Sequence, residues 1–225
     1  MNENYKWKGE TFNSKGIVIE KTPIPSKPNH SYEEYIIPGR SGFLSIDNQT
    51  YDPLTLNLEC HLDTKNVDMN EIRKWLDGYG ELQIDNEKKY TGYISNEISF
   101  EKISNFRKFI ILFRLQPIAK AVTPITIDTT NINSFDSNTY INAYPKITIT
   151  GTGDITFKIN NIGFTIYDAD GTYILDCEAK IITKNGVNQS SVMSGEFPYI
   201  KNGSNSITKT GNISDVTIEY SNLYL

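Results

Sequence analysis

Residues 54–63 have the sequence Leu54-Thr55-Leu56-Asn57-Leu58-Glu59-Cys60-His61-Leu62-Asp63. Apolar and polar side chains alternate strictly along this stretch, and successive side chains of a β-strand point to opposite faces of the sheet. The pattern predicts a strand with one buried face and one solvated face. It also predicts that Cys60 lies in the core and that His61 faces solvent.

The composition extends the β prediction to the whole chain. The 225 residues include 14 Tyr and 10 Phe, and 38% are apolar against 22% charged. Aromatic and β-branched residues suit pleated, half-buried surfaces, so we expect a mainly β protein. The net charge of −5 is unfavourable for a surface that binds phosphate backbones. DNA that only passes through a channel needs no such binding surface.

Targeting and cysteine signals are sparse. No stretch approaches the roughly 18 apolar residues of a membrane-spanning helix, and the N-terminal residues lack the apolar region of a signal peptide. We therefore expect no membrane insertion and synthesis in a reducing cytoplasm. The two cysteines, Cys60 and Cys177, are too few for a disulfide framework or a cysteine metal site.

One helix is predicted after the alternating strand. Asp68 can cap its N-terminus, and Glu71 occupies the third position that a capping box requires. Apolar residues then recur at helical spacing: Ile72, Trp75, Leu76 and Tyr79. Gly78 and Gly80 tolerate the left-handed conformation that ends helices.

Two further strands are predicted over residues 90–100 and 106–115. The second is apolar on nearly both faces, so we expect it to be central in its sheet. Prolines at positions 117 and 124 then interrupt the pattern, and we place a domain boundary there.

The predicted domains are 1–122, which mixes strands with the helix, and 123–225, which has strands alone. In the second domain, short apolar segments alternate with turn signals at 151–153, 170–171 and 185–186. Frequent turns between short strands predict a β-sandwich.

Candidate catalytic and metal motifs are weak. Neither His30 nor His61 adjoins a nucleophile motif, and Asp168-Ala169-Asp170-Gly171 fails the spacing of a calcium-binding EF-hand. A hairpin turn explains that last segment better. We expect no catalytic residue, no cofactor, no metal and no enzymatic activity. A hydrolase that uses two of the scattered carboxylates is the weakest alternative.

The tyrosines of the second domain suggest a different class of function. Aromatic faces stack on sugars, although most tyrosines simply pack with the hydroxyl at the surface. The candidate sugar or partner contacts are Tyr140, Tyr144 and Tyr199. A carbohydrate-binding β-sandwich module that mediates host-surface adhesion is therefore the alternative function.

The order of motifs in the chain resembles a known family. In the first domain, Ile37-Pro38-Gly39-Arg40-Ser41-Gly42 matches the pattern "ipGRdG", with Ser41 where Asp is frequent. Residues 72–76 match "i..WL", and residues 113–117 resemble "f.v.F...P" at the domain end. In the second domain, residues 143–153 are similar to "a.P.i.i.GsG" and residues 197–207 to "fP.l..G.N.i". The succession resembles the siphophage distal tail proteins, called Dit.

The resemblance implies a hexameric ring at the distal end of a phage tail tube, joining the tube to the tail tip or receptor-binding apparatus. N-terminal domains would form the ring, and C-terminal galectin-like or jelly-roll sandwiches would decorate it. The implied partners are further copies of the chain, the tail tube protein, a tail tip protein and a receptor-binding protein, with DNA only as cargo. The implied location is the virion tail tip. A prophage or a tail-like bacteriocin is an equally open source.

Gly39, Arg40 and Gly42 are the candidate subunit contacts under this resemblance. Heterologous contacts that close by rotation generate rings, and exposed strand edges need partners to cover them. A solvated turn residue is an equal alternative for Arg40.

Overall fold

The computed structural model describes residues 5–21, 23–63, 68–103 and 106–225. The chain forms two compact units, Met1–Ala119 with Leu225 and Lys120–Tyr224. Strands dominate both units, which confirms the mainly β prediction. Among the described residues, no helix combines the length and apolar character needed to span a bilayer.

The first unit contains the helix α1, Met69–Leu76, and a series of antiparallel strands. In chain order they are β1 Lys6–Trp7, β2 Glu10–Thr11, β3 Ile17–Ile19, β4 His30–Tyr35, β5 Leu44–Tyr51, β6 Leu54–Asp63, β7 Tyr79–Gln83, β8 Lys88–Ile94, β9 Glu101–Ile103 and β10 Phe106–Leu115. All except β4 and β5 belong to one sheet of order β2-β1-β7-β8-β10-β6-β3, with β9 paired to the start of β10.

Strands β6 and β10 form the centre of this sheet. The predicted inward residues of β6 are all buried: Leu54, Leu56, Leu58, Cys60 and Leu62. Strand β10 pairs with β6 along its whole length and with β8 on its other side, so its predicted central position is confirmed. His61 is only partly exposed, because its ring lies 3.3 Å from the Glu20 carboxylate.

Aromatic side chains fix helix α1 against the sheet. The indole Nε1 of Trp7 donates a hydrogen bond to the carbonyl oxygen of Trp75 at 3.1 Å. The Trp7 ring meets Phe113 edge-on at 5.0 Å, and Phe12 meets Trp75 at 5.1 Å. Edge-to-face pairs at this separation are favourable. Trp7 and the motif residue Trp75 are therefore core residues.

The ends of α1 differ in detail from the prediction. The Asp68 carboxylate accepts from the Asn70 amide at 2.8 Å, so it caps the helix one position earlier than a capping box requires. Tyr79 was predicted to be helical, and this is wrong, because Gly78 adopts φ +81° and ends the helix. Gly80 lies within strand β7.

The remaining strands begin at the boundary between the units. They are β11 Ala119–Ala121, β12 Ile125–Asp128, β13 Ser134–Ser137, β14 Lys146–Ile159, β15 Ile162–Asp176, β16 Ile181–Lys184, β17 Val187–Asn188, β18 Met193–Gly195, β19 Gly203–Tyr220 and β20 Leu223–Tyr224. A sheet of order β12-β19-β14-β15-β16-β17 organises the second unit, with β13 paired to β19 and β18 to β15. Strands β11 and β20 pair with each other.

Two predicted turns of the second unit are wrong. Residues 151–153 lie inside β14 and residues 170–171 inside β15, where Gly151 pairs with Gly171. The pairing of β14 with β15 shifts register between Gly153 and Ile155, so Gly153 marks a β-bulge. A bulge of this kind bends its strand. The β14–β15 turn is Asn160-Asn161, with φ +50° and +68°.

The other predicted turn, Asn185-Gly186, is confirmed between β16 and β17 with φ +50° and +77°. Strand β14 lies between β15 and β19, and its inward side chains are fully buried: Ile147, Ile149, Ile155, Phe157 and Ile159. Three long strands, β14, β15 and β19, therefore form the centre of the second unit, where the sequence predicted short strands throughout.

Candidate functional site

Strands β4 and β5 form a hairpin that stands apart from both sheets. They pair antiparallel, with Tyr35 opposite Leu44 and Glu33 opposite Ile46. Across the described residues, this hairpin pairs with no further strand. A two-stranded hairpin is marginally stable by itself in water, so its conformation is one that a partner would stabilise.

One face of the hairpin is apolar and exposed. Residues opposite each other across strands share a face, so Tyr35, Leu44 and Ile46 lie together with Glu33 between them. Their exposed fractions are 49%, 44% and 47%. The Tyr35 hydroxyl donates to the Glu33 carboxylate at 2.6 Å, and this bond raises the pKa of Tyr35. The other face of the hairpin carries Glu34, Ser45 and Asp47, and is polar except for the ring of Tyr32.

The base of the hairpin is held by local contacts. The His30 ring meets Tyr51 at 4.8 Å and Tyr32 at 5.1 Å, and its Nδ1 lies 3.0 Å from the Asp47 carboxylate. The Asp52 amide donates to the carbonyl of residue 29 at 2.9 Å. His30 therefore belongs to a structural cluster of strand β4.

The predicted subunit contacts lie at the tip of the hairpin. Gly39 and Gly42 adopt φ +82° and +85°, and a Cβ at either position would meet nothing within 4 Å. These glycines are thus required by backbone conformation. Arg40 is exposed, and its amide donates to the carbonyl of Ile37 at 3.1 Å. The structure places all three predicted residues together at an exposed position.

The tip also carries apolar side chains that the motif did not single out. Ile36 is 84% exposed and Phe43 is 57% exposed. Ile36 follows Tyr35 and Phe43 precedes Leu44 in the chain, so exposed apolar residues continue from the strand ends into the tip, and exposed apolar surface of this kind marks interaction sites. The period-two pattern of Tyr35, Ile37, Leu44 and Ile46 could have identified this face, but burial cannot be inferred from alternation alone.

The predicted tyrosine contacts of the second unit do not form one cluster. Tyr144 and Tyr199 meet at 6.2 Å, edge-on, whereas Tyr140 meets Tyr224 at 5.8 Å. Tyr144 lines a groove of about 200 Å³ that also contains Lys146, Asp176 and other charged residues. That volume is below the range of typical small-molecule sites.

The acidic segment at residues 168–171 has a structural role. The Asp170 carboxylate accepts hydrogen bonds from the Lys184 ammonium and from the Tyr173 hydroxyl, and these bonds hold its pKa below the ordinary value. In the part of the chain that the structure describes, no three metal-ligating side chains come together.

Comparison with known proteins places the fold. No family model matches the sequence, and no curated protein matches it. The structure has the fold of phage distal tail components, which confirms the resemblance drawn from the motifs at the level of fold. It matches the crystal structure of SPP1 Dit, described as a paradigm of the hub adsorption apparatus in phages of Gram-positive hosts, with TM-score 0.76 and 11% identity over 99% of both chains.

Two further matches come from the phage P2 baseplate in its activated conformation. The calcium form gives TM-score 0.52 at 7% identity, and the strontium form gives 0.51 at 8%. Each match covers 94% of this chain and 92% of the other.

Proposed function

We propose that this chain is the structural hub at the distal end of a long-tailed phage tail. Copies of it assemble into a hexameric ring that joins the tail tube to the tail tip or receptor-binding apparatus. The observation that carries this proposal is the isolated β4–β5 hairpin, whose apolar face is exposed in a chain that has the Dit fold throughout.

An exposed apolar face of this kind requires a partner to cover it. Contiguous exposed apolar patches are uncommon on monomers and mark interaction sites. Contacts between unlike surfaces of identical chains close into rings when the rotation permits. The number six comes from the family resemblance.

The partners and location follow from the same proposal. The ring contacts the tail tube protein on one side and a tail tip protein, with a receptor-binding protein, on the other. DNA passes only as cargo, which fits the net charge of −5. The chain is a virion structural protein and not an enzyme, and a prophage or a tail-like bacteriocin is equally compatible as its source.

The carbohydrate-binding alternative has less support. Tyr144 and Tyr199 pair with each other, whereas Tyr140 pairs with Tyr224, and the groove beside Tyr144 is small and charged. A glycan array tests it directly, since a specific signal that disappears in Tyr144→Ala would favour adhesion over the hub.

The proposed hexameric ring is tested by measuring the mass of the full chain in solution and by recording negative-stain images. We expect a particle of six copies of 25.5 kDa with an open centre, in free solution or on isolated tail tubes. A chain that remains monomeric both alone and with tail tubes would contradict the proposal.

A further inference from the structure

The chain contains two Asn-Gly pairs, Asn185-Gly186 and Asn202-Gly203. In such a pair the backbone nitrogen of the glycine can reach the side-chain carbonyl carbon of the asparagine, because glycine has no Cβ to obstruct the approach. A bond between these two atoms starts the conversion of asparagine to aspartate. Both pairs lie in the second unit, but their surroundings differ.

Asn185-Gly186 is the two-residue turn between β16 and β17. The residues adopt φ +50° and +77°, and both are exposed. Across the described residues, the Asn185 side chain makes no hydrogen bond and the Gly186 amide donates to no backbone carbonyl. Neither of the two groups that would react is therefore held by the rest of the unit.

The strands that flank this turn are short and lie at the edge of the sheet. Among the described strands, β17 pairs with β16 alone, with Lys184 opposite Val187 and Thr183 opposite Asn188. Val187 is 61% exposed. Exposed edge elements with few buried contacts open locally at low free energy. The backbone at Asn185 can therefore leave the turn conformation and bring its side chain to the glycine nitrogen.

Asn202-Gly203 is exposed as well, but its backbone is held on both sides. The side-chain amide of Asn205 donates to the carbonyls of Lys201 at 2.9 Å and Gly203 at 3.0 Å. Its oxygen accepts from the Lys201 amide at 3.0 Å. Asn205 is fully buried, and Gly203 pairs with Ser137 of β13. Rotation of the backbone at Asn202 toward a reactive geometry would break several of these bonds.

We propose that Asn185 is a site of spontaneous deamidation in the folded protein and that Asn202 is protected from it. The Gly186 nitrogen bonds to Cγ of Asn185 and loses its proton, the Cγ–Nδ2 bond breaks, and ammonia leaves with that proton. The product is a succinimide ring. Water then adds to one of the ring carbonyls and breaks the bond between that carbon and the ring nitrogen. One water is consumed and one ammonia is released, and nothing is oxidised or reduced.

The two directions of ring opening have different consequences for the turn. Opening at the side-chain carbonyl leaves aspartate, which adds a negative charge next to Lys184 in a chain of net charge −5. Opening at the main-chain carbonyl leaves isoaspartate, which inserts a methylene group into the backbone. A longer backbone cannot keep the two-residue turn that joins β16 to β17, so isoaspartate loosens β17 from the sheet edge. This inference is independent of the proposed hub.

Timed incubation of the full chain at mildly alkaline pH, followed by tryptic digestion and mass spectrometry, tests the proposal. Cleavage at lysine places Asn185 and Asn202 in separate peptides, 185–201 and 202–209. Replacement of an amide –NH2 by –OH raises the mass of the peptide, and fragment ions assign the modified residue. A sample digested before incubation gives the background.

We expect Asn185 to deamidate roughly tenfold faster than Asn202 in the folded chain, because only opening at Asn202 breaks hydrogen bonds of a buried side chain. In urea the two sites should react at similar rates, because unfolding removes the difference between them. Equal rates in the folded chain would overturn the proposal. So would an unmodified Asn185 after a time in which the unfolded chain has reacted.

Two variants separate the turn from the contacts that protect the second site. Asn185→Gly keeps a residue suited to positive φ and should abolish the deamidation at the turn in peptide 185–201. Asn205→Ala removes the hydrogen bonds on both sides of Asn202, so deamidation of Asn202 should become roughly tenfold faster, with the rate at Asn185 unchanged. An undiminished mass change of peptide 185–201 in Asn185→Gly, or an unchanged rate at Asn202 in Asn205→Ala, would contradict the assignment.

Discussion

Asn205, a position of the motif at residues 197–207, holds the second unit together through the hydrogen bonds of its side chain. The side chain is fully buried and makes a complete set of hydrogen bonds. Its amide donates to the carbonyls of Lys201 at 2.9 Å and Gly203 at 3.0 Å. Its oxygen accepts from the Lys201 amide at 3.0 Å and from Asn160 at 2.8 Å. These are all the bonds that an asparagine side chain can make.

Replacing Asn205 should therefore destabilise the second unit strongly. Asn205→Ala removes all four of these hydrogen bonds and leaves a cavity at a fully buried position, and we expect a loss of about 2–4 kcal/mol in the free energy of unfolding. Urea unfolding measures the change. The exposed neighbour Asn202 is the control, and Asn202→Ala should change stability by less than about 0.5 kcal/mol. Similar losses in both variants would contradict this account.

The two thiols give a second prediction at the residue scale. Burial is the main cause that raises the pKa of Cys60 and of Cys177 from 9.0 to about 12. Because the thiolate is the reactive form, neither should react with a disulfide reagent at pH 8 in the folded protein. Both should react in urea. An exposed Val187→Cys variant is the positive control, and rapid labelling of native Cys60 or Cys177 would contradict the prediction.

The raised pKa of the two thiols makes the free energy of unfolding depend on pH. An unfolded thiol loses its proton near pH 9, whereas the folded thiol keeps it to about 12. Above pH 9 the unfolded state thus binds fewer protons, and the free energy of unfolding falls with rising pH. Alkaline unfolding should become easier between these two values.

Turns are where sequence reasoning about the elements was least reliable. The alternation of 54–63, the cap of α1 and the turn Asn185-Gly186 were predictable, because each depends on a local pattern. Glycine is equally suited to a turn and to a bulge, so the segments at 151–153 and 170–171 looked like turns. Their true role depends on long-range pairing between β14, β15 and β19.

The β14–β15 turn supplies the element-scale prediction. Asn161 adopts φ +68°, which a β-branched side chain tolerates poorly. We expect Asn161→Val to lower the free energy of unfolding by about 1–2 kcal/mol, whereas Asn161→Gly should change it by less than about 0.5 kcal/mol. Thermal unfolding of the two variants in parallel gives the comparison. Equal effects would show that the turn conformation does not control stability here.

The candidate site could be anticipated only in part. The motif around Arg40 predicted a subunit contact or a solvated turn, and the structure places Gly39, Arg40 and Gly42 at the exposed tip between β4 and β5. The apolar face of Tyr35, Leu44 and Ile46 was missed, since a buried strand of a sheet and an exposed hairpin share the same alternation. Only the pairing pattern reveals that β4 and β5 have no other neighbour among the described strands.

At the scale of the whole molecule, the division into two units has a testable consequence. The second unit has a core of its own, in which β14, β15 and β19 bury side chains such as Ile149, Phe164 and Val216. A compact unit with its own core can fold alone. We expect the fragment 120–225 to be soluble and to unfold cooperatively in urea.

Asn205→Ala should lower the free energy of unfolding of the fragment and of the full chain by the same amount, within about 0.5 kcal/mol, because distant sites act independently. A fragment without a cooperative transition, or with a much smaller loss, would mean that the stability of this unit depends on residues 1–119.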